Sequence, residues 1–507
     1  MTRHVVSRRR LLGLAALTAG LPILAACGAA ATPTTAPAAK PAEAPKPTEA
    51  PKAAEAAKPT EAPKPAAAPP TNTPAAAAAA ATKPAEATKP AAAATTAPKP
   101  AEPAAAGGAK KVVFLIYGGK AEQDAWNARA DAFAKKYPGR QVEISLQPEK
   151  YNEKLLAMIG SGTAPDTFAA FSVRELAPKG VLMQLDDQIK NDTDFNAADF
   201  LPGALDGGKW KGKLYAIPGG LGPQVTFYNV AKFKEAGLPT PNETAQKGEW
   251  TYEKLLEVSQ KLTTKDASGK VKTFGYLPYP QFYVYTYGYG AKNFNDDFSE
   301  VYADEAPFVD SLQFVADLGL KQHVAPQVAE MQQYGSWQGF AQGNYGLFIS
   351  GPWQQARMGQ NMKDPWDIAP PPLQKSGVPI MNSGGNGTAV YAKTPDPDTA
   401  YKWATFSESA EGQRIWAGLG FDLPSRKSLV DDYTAGKFFA DPKYKPENVK
   451  LWYDMVAKSK PSPHTYLPSE AGDKLNAAWG NVQKGSGAAK DEFAKISKDV
   501  NRVLKES

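Results

Sequence analysis

Cysteine is almost missing from the 507 residues: Cys27 stands alone, which excludes an intramolecular disulfide and any thiolate metal cluster. Histidine is nearly as scarce. Of three, only His323 and His464 lie beyond residue 110, leaving little material for imidazole metal sites or histidine-based catalysis. No apolar run is long enough to span a bilayer stably. Aromatic residues are absent before residue 110, so that region has nothing large with which to build a core. Net charge is small once apportioned. The formal +6 is accounted for by Arg3, Arg8, Arg9 and Arg10 together with eight lysines against six glutamates in residues 28–109. The rest of the chain is neutral overall, and nucleic acid is not an expected partner.

What is present begins with an address. Ser7-Arg8-Arg9-Arg10-Leu11-Leu12 sets a charged cluster directly before an apolar run ending near Ala26, the pattern of an export signal. Paired arginines after a serine resemble the twin-arginine signal, which exports folded proteins; a general secretory signal with a basic start also fits. Leu24-Ala25-Ala26-Cys27 resembles the bacterial lipobox, in which cleavage precedes the cysteine and the thiol receives a diacylglycerol. Residues 1–27 are thus expected to be a lipoprotein signal cleaved before Cys27, the lipidation site. Location on the outer face of the cell membrane follows, held by a lipid anchor.

From residue 28 to 109 the chain is almost wholly Ala, Pro, Lys, Thr and Glu in loose repeats. Such a segment cannot bury enough apolar surface to offset its ordering entropy. It reads as a disordered tether, biased by proline to an extended conformation that reaches at most about 250 Å. All ten tryptophans, 21 tyrosines and 21 phenylalanines lie after residue 110, in a part long enough for two lobes.

Val112-Val113-Phe114-Leu115-Ile116 reads as a strand buried on both faces of a parallel sheet. Trp126, Ala130, Phe133, Ala134 and Tyr137 fall at helical spacing, Pro138-Gly139 ends the helix, and Val142, Ile144 and Leu146 alternate as a second strand. A helix carrying Leu155, Leu156 and Ile159 precedes a third strand, Thr167 to Phe171. The fold class is therefore α/β, with an open wound sheet whose ligands lie beyond the carboxyl ends of its strands.

Several motifs in order now resemble one family. They run from Ser161-Gly162-Thr163-Ala164-Pro165-Asp166 through Lys179-Gly180-Val181-Leu182, Leu185-Asp186-Asp187 and Gly212-Lys213-Leu214-Tyr215-Ala216-Ile217-Pro218. Tyr228-Asn229, Glu235-Ala236-Gly237-Leu238-Pro239, Trp250-Thr251 and Gly351-Pro352-Trp353 continue the series. Together they resemble the family 1 extracellular solute-binding proteins of ABC importers. The resemblance implies a two-lobed periplasmic-binding-protein-like fold of type II, with discontinuous lobes joined by a hinge. The solute-binding domain would be residues 110–507, with lobe 1 near 110–220 and 388–425 and lobe 2 near 224–385 and 428–507. Crossings are expected near Gly219 to Gln224, Ser383 to Gly387 and Pro424 to Lys427, which are rich in Gly, Pro or small residues. The implied protein is a monomer, is not an enzyme and needs no cofactor or metal. Its partners are a small-molecule solute, with carbohydrate the first expectation, and a separate membrane permease. Polyols and glycerol phosphates remain open as solutes.

A sugar presents C–H faces and many hydroxyls, so its receptor needs aromatic plates and hydrogen-bonding groups in a concave site. Within the resemblance, Trp353 is expected to stack on sugar, as the tryptophan of the same tripeptide does in a maltose-binding member. Tyr117 and Gly118 follow the first strand, in a loop that touches sugar hydroxyls in that member. Phe171 and Ser172 end the third strand near a sugar-contacting position, but the loop is shorter and lacks that member's Trp and Asp, which argues against maltose itself. Gln224 and Asn386 lie in the first two crossings. Tyr283 comes from the alternating stretch Phe282 to Tyr287, which edge-strand packing also explains. Tyr466, in a proline-rich turn, completes the set of binding candidates. Asp166 is assigned to orienting its loop.

Other chemistries find no constellation. No Gly-x-Ser-x-Gly elbow, His-Glu-x-x-His helix or Walker loop occurs. Asp192-Thr193-Asp194-Phe195-Asn196 echoes a calcium loop without its glycine and distal glutamate. Gly219-Gly220-Leu221-Gly222 opens no helix, and the hinge reading is preferred to a phosphate cradle. A glycosidase or a stalked surface protein would remain if no small molecule bound.

Overall fold

The computed structural model describes residues 110–169, 173–383, 387–439, 441–463 and 467–506, all within the second of the chain's two units, Pro98–Ser507. The expected signal and tether lie outside the described residues. Fifteen strands are formed among those described. The first six are β1 (Lys110–Tyr117), β2 (Arg140–Gln147), β3 (Thr167–Ala169), the hairpin β4 (Lys209–Trp210) and β5 (Lys213–Leu214), and β6 (Ala216–Ile217). Then come β7 (Leu221–Pro223), β8 (Val225–Asn229), β9 (Thr264–Lys265), β10 (Val271–Leu277), β11 (Tyr345–Ser350), β12 (Trp366–Ala369), β13 (Ile380–Ser383), β14 (Thr388–Val390) and β15 (Lys460–Pro461).

Two five-stranded sheets result, in the orders β2-β1-β3-β14-β6 and β12-β8-β11-β10-β9. In the first, β1 runs parallel to β2 and β3, as its continuous apolar run predicts, with Phe114 opposite Ile144. The sheet is mixed rather than parallel throughout. Strand β14, from far along the chain, enters antiparallel between β3 and β6. A third sheet, β15-β13-β7, joins the two.

The helix Lys120–Lys136 lies on the first sheet because Trp126, Ala130 and Phe133 fall on one face and are buried. It stops at Tyr137, before Pro138 and a Gly139 held at φ 85°. Its aromatics meet those of the helices Pro397–Ser407 and Ala410–Gly418, with Phe114 edge-on to Trp126 at 4.7 Å and Trp126 against Trp416 at 5.0 Å. On the second sheet, the helix Tyr252–Leu262 starts at Thr251, whose side chain accepts from Lys254 N. The helices Ala306–Leu320, Ser469–Gln483 and Ala489–Glu506 extend that core with Phe308, Leu312, Trp479 and Phe493. No helix among the described residues is long and apolar enough to cross a membrane.

Phe282 to Tyr287, read above as an alternating stretch on one face, is instead part of a helix, Tyr283–Tyr289, buried from Tyr283 through Gly288. Alternation of aromatics misleads here because the segment is covered on every side, so its pattern carries no period. Asp166 ties its loop to the sheet, as assigned: Val113 N donates to Oδ2 at 2.8 Å and Thr394 Oγ1 to Oδ1 at 2.6 Å. Asp192 accepts from Tyr401 and Asp194 N and pairs with Lys402 at 3.3 Å. No cluster of three metal-ligating side chains occurs among the described residues.

Charge is buried at one place in the first lobe. The Arg129 guanidinium, 2% exposed, lies between the rings of Trp126 and Trp416 at 4.4 and 4.7 Å. It donates to Gly412 O and faces Glu408 Oε1 at 3.5 Å, while Arg426 Nε donates to the backbone oxygen of Glu408. The guanidinium groups thus spend donors on carbonyls, and neither Glu408 carboxyl oxygen accepts a hydrogen bond. Burial outweighs the attraction of Arg129 and Arg426 and pushes the Glu408 carboxyl up to about 8. A folded value above the unfolded one means that the native state holds the extra proton between about pH 4.5 and 8. Stability from this group therefore falls as pH rises through that window. Glu408→Gln removes the dependence, so urea denaturation should find the variant gaining on the parent chain from pH 5 to pH 9; a constant difference would show Glu408 ionised throughout.

Candidate functional site

The site is built where the chain passes between the sheets. Strand β7 pairs antiparallel with β13, Gly222 opposite Asn382, and Leu221 exchanges backbone hydrogen bonds of 2.9 and 3.1 Å with Leu423. Gln224 N donates to Ile380 O at 2.9 Å. Three segments thus lie side by side, close enough that a Cβ on Gly220 would overlap Asp422.

Trp353 stands over this strap. Strand β11 ends at Ser350, Gly351-Pro352 turns the chain, and Trp353 precedes the helix Gln354–Asn361. Glycines make room for its half-buried indole. A Cβ on Gly222 would stand 2.8 Å from Trp353 Cζ3, and one on Gly351 would overlap the ring.

Around the indole, buried polar atoms lack partners. Ser350 Oγ and Gln354 Oε1 make no hydrogen bond, and the buried amides of Gln224 and Asn382 have only the Tyr279 phenol within reach. Tyr279, just past β10, joins them: its phenol lies against Asn382 and Gln224, and burial pushes it upward. The next glutamine along is different. Gln355 donates to Tyr433 at 2.9 Å and accepts from Trp452 Nε1 at 3.0 Å, as a purely structural amide does. Tyr279, Ser350, Trp353 and Gln354 also line a cavity of about 430 Å³.

From the first lobe, Tyr117 ends β1 half-buried, edge-on to Tyr151 at 5.7 Å. Burial raises its phenol, Asp422 adds to the shift and Arg357 opposes it. Gly118 holds φ 119°, a value few other residues adopt, and its loop leads to Glu122. Glu122 Oε1 pairs with Arg357 Nη2 at 2.7 Å, and that guanidinium lies over the Trp337 ring at 5.1 Å. Glu122 belongs to the helix on the first sheet and Arg357 to the helix after β11, so the pair bridges the lobes.

The structure thus brings Tyr117, Gly118, Gln224 and Trp353 toward one region. It does not bring Tyr283, whose ring is 4% exposed and packs against Phe282 and Phe294 in the second lobe's core. The helix turns that side chain inward, where a strand would have presented it. Cys27, Phe171, Ser172, Asn386 and Tyr466 lie outside the described residues. Sequence reasoning missed Tyr279, Ser350, Gln354 and Asn382. The available signal was position, since Ser350 and Gln354 flank Gly351-Pro352-Trp353 and Asn382 precedes the second expected crossing.

Comparison with known proteins agrees with this architecture. Residues 118–414 match the family of bacterial extracellular solute-binding proteins, and the chain belongs to that family. It is similar to an ABC substrate-binding protein of Listeria monocytogenes solved with cycloalternan, at 22% identity and TM-score 0.69, covering 78% of this chain and 99% of that one. It is also similar to the GacH receptor of Streptomyces glaucescens, solved with acarbose, at 22% identity and TM-score 0.65 over 78% and 99% of the two chains. UgpB of Mycobacterium tuberculosis, solved with glycerophosphocholine, aligns at 18% identity and TM-score 0.65 over 79% and 99%. These likenesses establish the two-lobed fold, and the family is one of binding proteins.

The glycine under the indole gives a direct test. Gly222→Ala should destabilise the chain by about 1–3 kcal/mol through overpacking and shift tryptophan emission, both read in a urea titration. Unchanged stability and emission would show that the indole is not held against the strap.

Proposed function

We propose that this chain is the extracytoplasmic, lipid-anchored receptor of an ABC importer, which captures a neutral carbohydrate between its lobes and delivers it to a separate permease. The observation carrying this reading is the group of buried, uncharged, unpartnered polar atoms beside Trp353. Each costs about 1–3 kcal/mol while it lacks a hydrogen bond. A polyhydroxylated solute supplies the missing partners, and its C–H face matches the indole. Two similar receptors were solved with the carbohydrate-like ligands cycloalternan and acarbose, which supports the same solute class here.

The glycerophosphocholine receptor favours a second reading, a phosphodiester solute. An anion calls for a free cation at the site, yet Arg357 is already paired with Glu122. The neutral solute is preferred on that ground.

In either case the chain performs no covalent chemistry. Solute contacts from both lobes favour the closed arrangement through their differential affinity, and closure is the state the permease reads. Cys27 carries the lipid in this proposal, and residues 28–109 hold the receptor near its permease at high effective concentration.

Thermal unfolding of the purified full chain against mono- and oligosaccharides, polyols and glycerol phosphodiesters tests the solute class. At a hundred times its dissociation constant, a ligand should add about 2.7 kcal/mol, a shift of a few degrees. Trp353→Ala should abolish the shift. A response to phosphodiesters alone would move the solute class, and no response to anything would overturn the receptor reading. Separately, Cys27→Ser should release the chain from the membrane fraction of the expressing cell; retention of that variant in membranes would overturn the lipid anchor.

A further inference from the structure

The cavity beside Trp353 belongs to the second lobe alone, for its lining runs between Leu277 and Gln483 and includes nothing from the first sheet or its helices. At about 430 Å³ it falls within the roughly 300–1,000 Å³ typical of small-molecule pockets. Its lining is of two kinds.

One kind is the polar edge already described. Ser350 and Gln354, 1% and 6% exposed, line the cavity and each carries an unpartnered oxygen. Most of the remaining wall is apolar, with Val315, Leu320, Val328, Met331 and Trp479 its large members, while Tyr279, Gln327, Ser336 and Gln483 add polar groups at its margin. Trp479 offers only its ring, because its indole N–H is spent on Pro280 O at 3.2 Å. Two polar residues of the lining are likewise occupied, Gln327 with His323 at 2.9 Å and Ser336 with Gln338 at 2.8 Å. Val328 is 40% exposed and is the large apolar side chain left open to solvent among the described residues. An apolar opening therefore leads to an apolar wall.

A second sugar ring placed here would set its hydroxyls against aliphatic side chains without hydrogen-bond partners, the arrangement buried polar groups avoid. A hydrocarbon group would meet surface of its own kind. Resting on the carbohydrate reading above, we infer that the solute is an amphiphilic glycoside. Its hydroxyls meet Ser350 and Gln354, and its alkyl or aryl substituent lies among Val315, Leu320, Met331 and Trp479.

Calorimetric titration of the full chain with glucose, galactose, xylose and maltose, each beside its phenyl and octyl glycoside in monomeric form, tests this. At least one glycoside should bind ten- to a hundredfold more tightly than its parent sugar, the gain expected from burying a ring or chain of that size. Ala316→Phe, which fills the cavity, should erase that excess while leaving the parent sugar's affinity within about twofold. Val328→Asp, at an exposed position where folding is not at risk, should do the same. Parent sugars binding as tightly as their glycosides would overturn this inference and leave the carbohydrate reading standing. An excess that survives both substitutions would also overturn it, since the apolar group would then lie elsewhere. No binding by sugars or glycosides would overturn both.

Discussion

The hydrogen bonding of three distant stretches of chain into one narrow strap is the constraint on which the site depends. Leu221 bonds to Leu423, β7 pairs with β13, and β15 continues the sheet. Such close passage requires glycine: Gly220 lies against Asp422, and Gly222 carries the Trp353 ring. Gln224 and Asn382 belong to this strap with the Tyr279 phenol against them, and the Trp353 ring stands over Gly222. The unpartnered polar atoms at the site thus lie where the lobes are joined.

Away from the strap, Ala356 N donates to Gly420 O at 2.9 Å, and several side-chain contacts between the lobes are partly exposed. Glu122 and Arg357 form a pair 15% and 28% exposed, and Ser469 donates to Glu175 at 2.6 Å. Arg174 lies 5.7 Å from the Phe298 ring. Partly exposed contacts of this kind contribute about 0–1 kcal/mol each. Their sum is comparable to what one or two solute hydroxyls recover by satisfying buried amides. Solute hydroxyls therefore act on the same energy scale as these individual side-chain contacts.

Much of the first lobe was legible in the sequence, because β1, the helix after it and β2 each announce themselves by period and by a Pro-Gly stop. The return of the chain near residue 388 to this lobe was expected from family resemblance, but the pairing of β14 was not read. Three residues, Thr388–Val390, supply that strand, and only tertiary pairing gives them their place between β3 and β6. The aromatic helix Tyr283–Tyr289 defeated the reading for a related reason: Tyr and Phe favour strands, and a short element buried all round shows no amphipathic face. At the site, Gly351-Pro352-Trp353 pointed to the indole through family resemblance alone. Ser350, Gln354, Tyr279 and Asn382 carried no mark, since nothing in a residue's identity tells whether its partners are present.

The interior holds two kinds of costly polar group, and their difference bears on how a receptor stays folded while empty. Arg129 and Arg426 are buried charges, each held against ring faces and carbonyls, with the protonated Glu408 carboxyl beside them. Left without a partner, such a charge would cost several kcal/mol. The atoms left unpartnered beside Trp353 are amides and a hydroxyl, whose vacancy costs about 1–3 kcal/mol each. A site lined by unpaired charges would spend most of a domain's net stability of about 5–15 kcal/mol whenever the solute was absent. Neutral groups keep the empty form within reach while still rewarding every hydroxyl that arrives. A site beside Trp353 that leaves neutral rather than charged groups unpartnered is what lets one chain be both stable when empty and selective when filled.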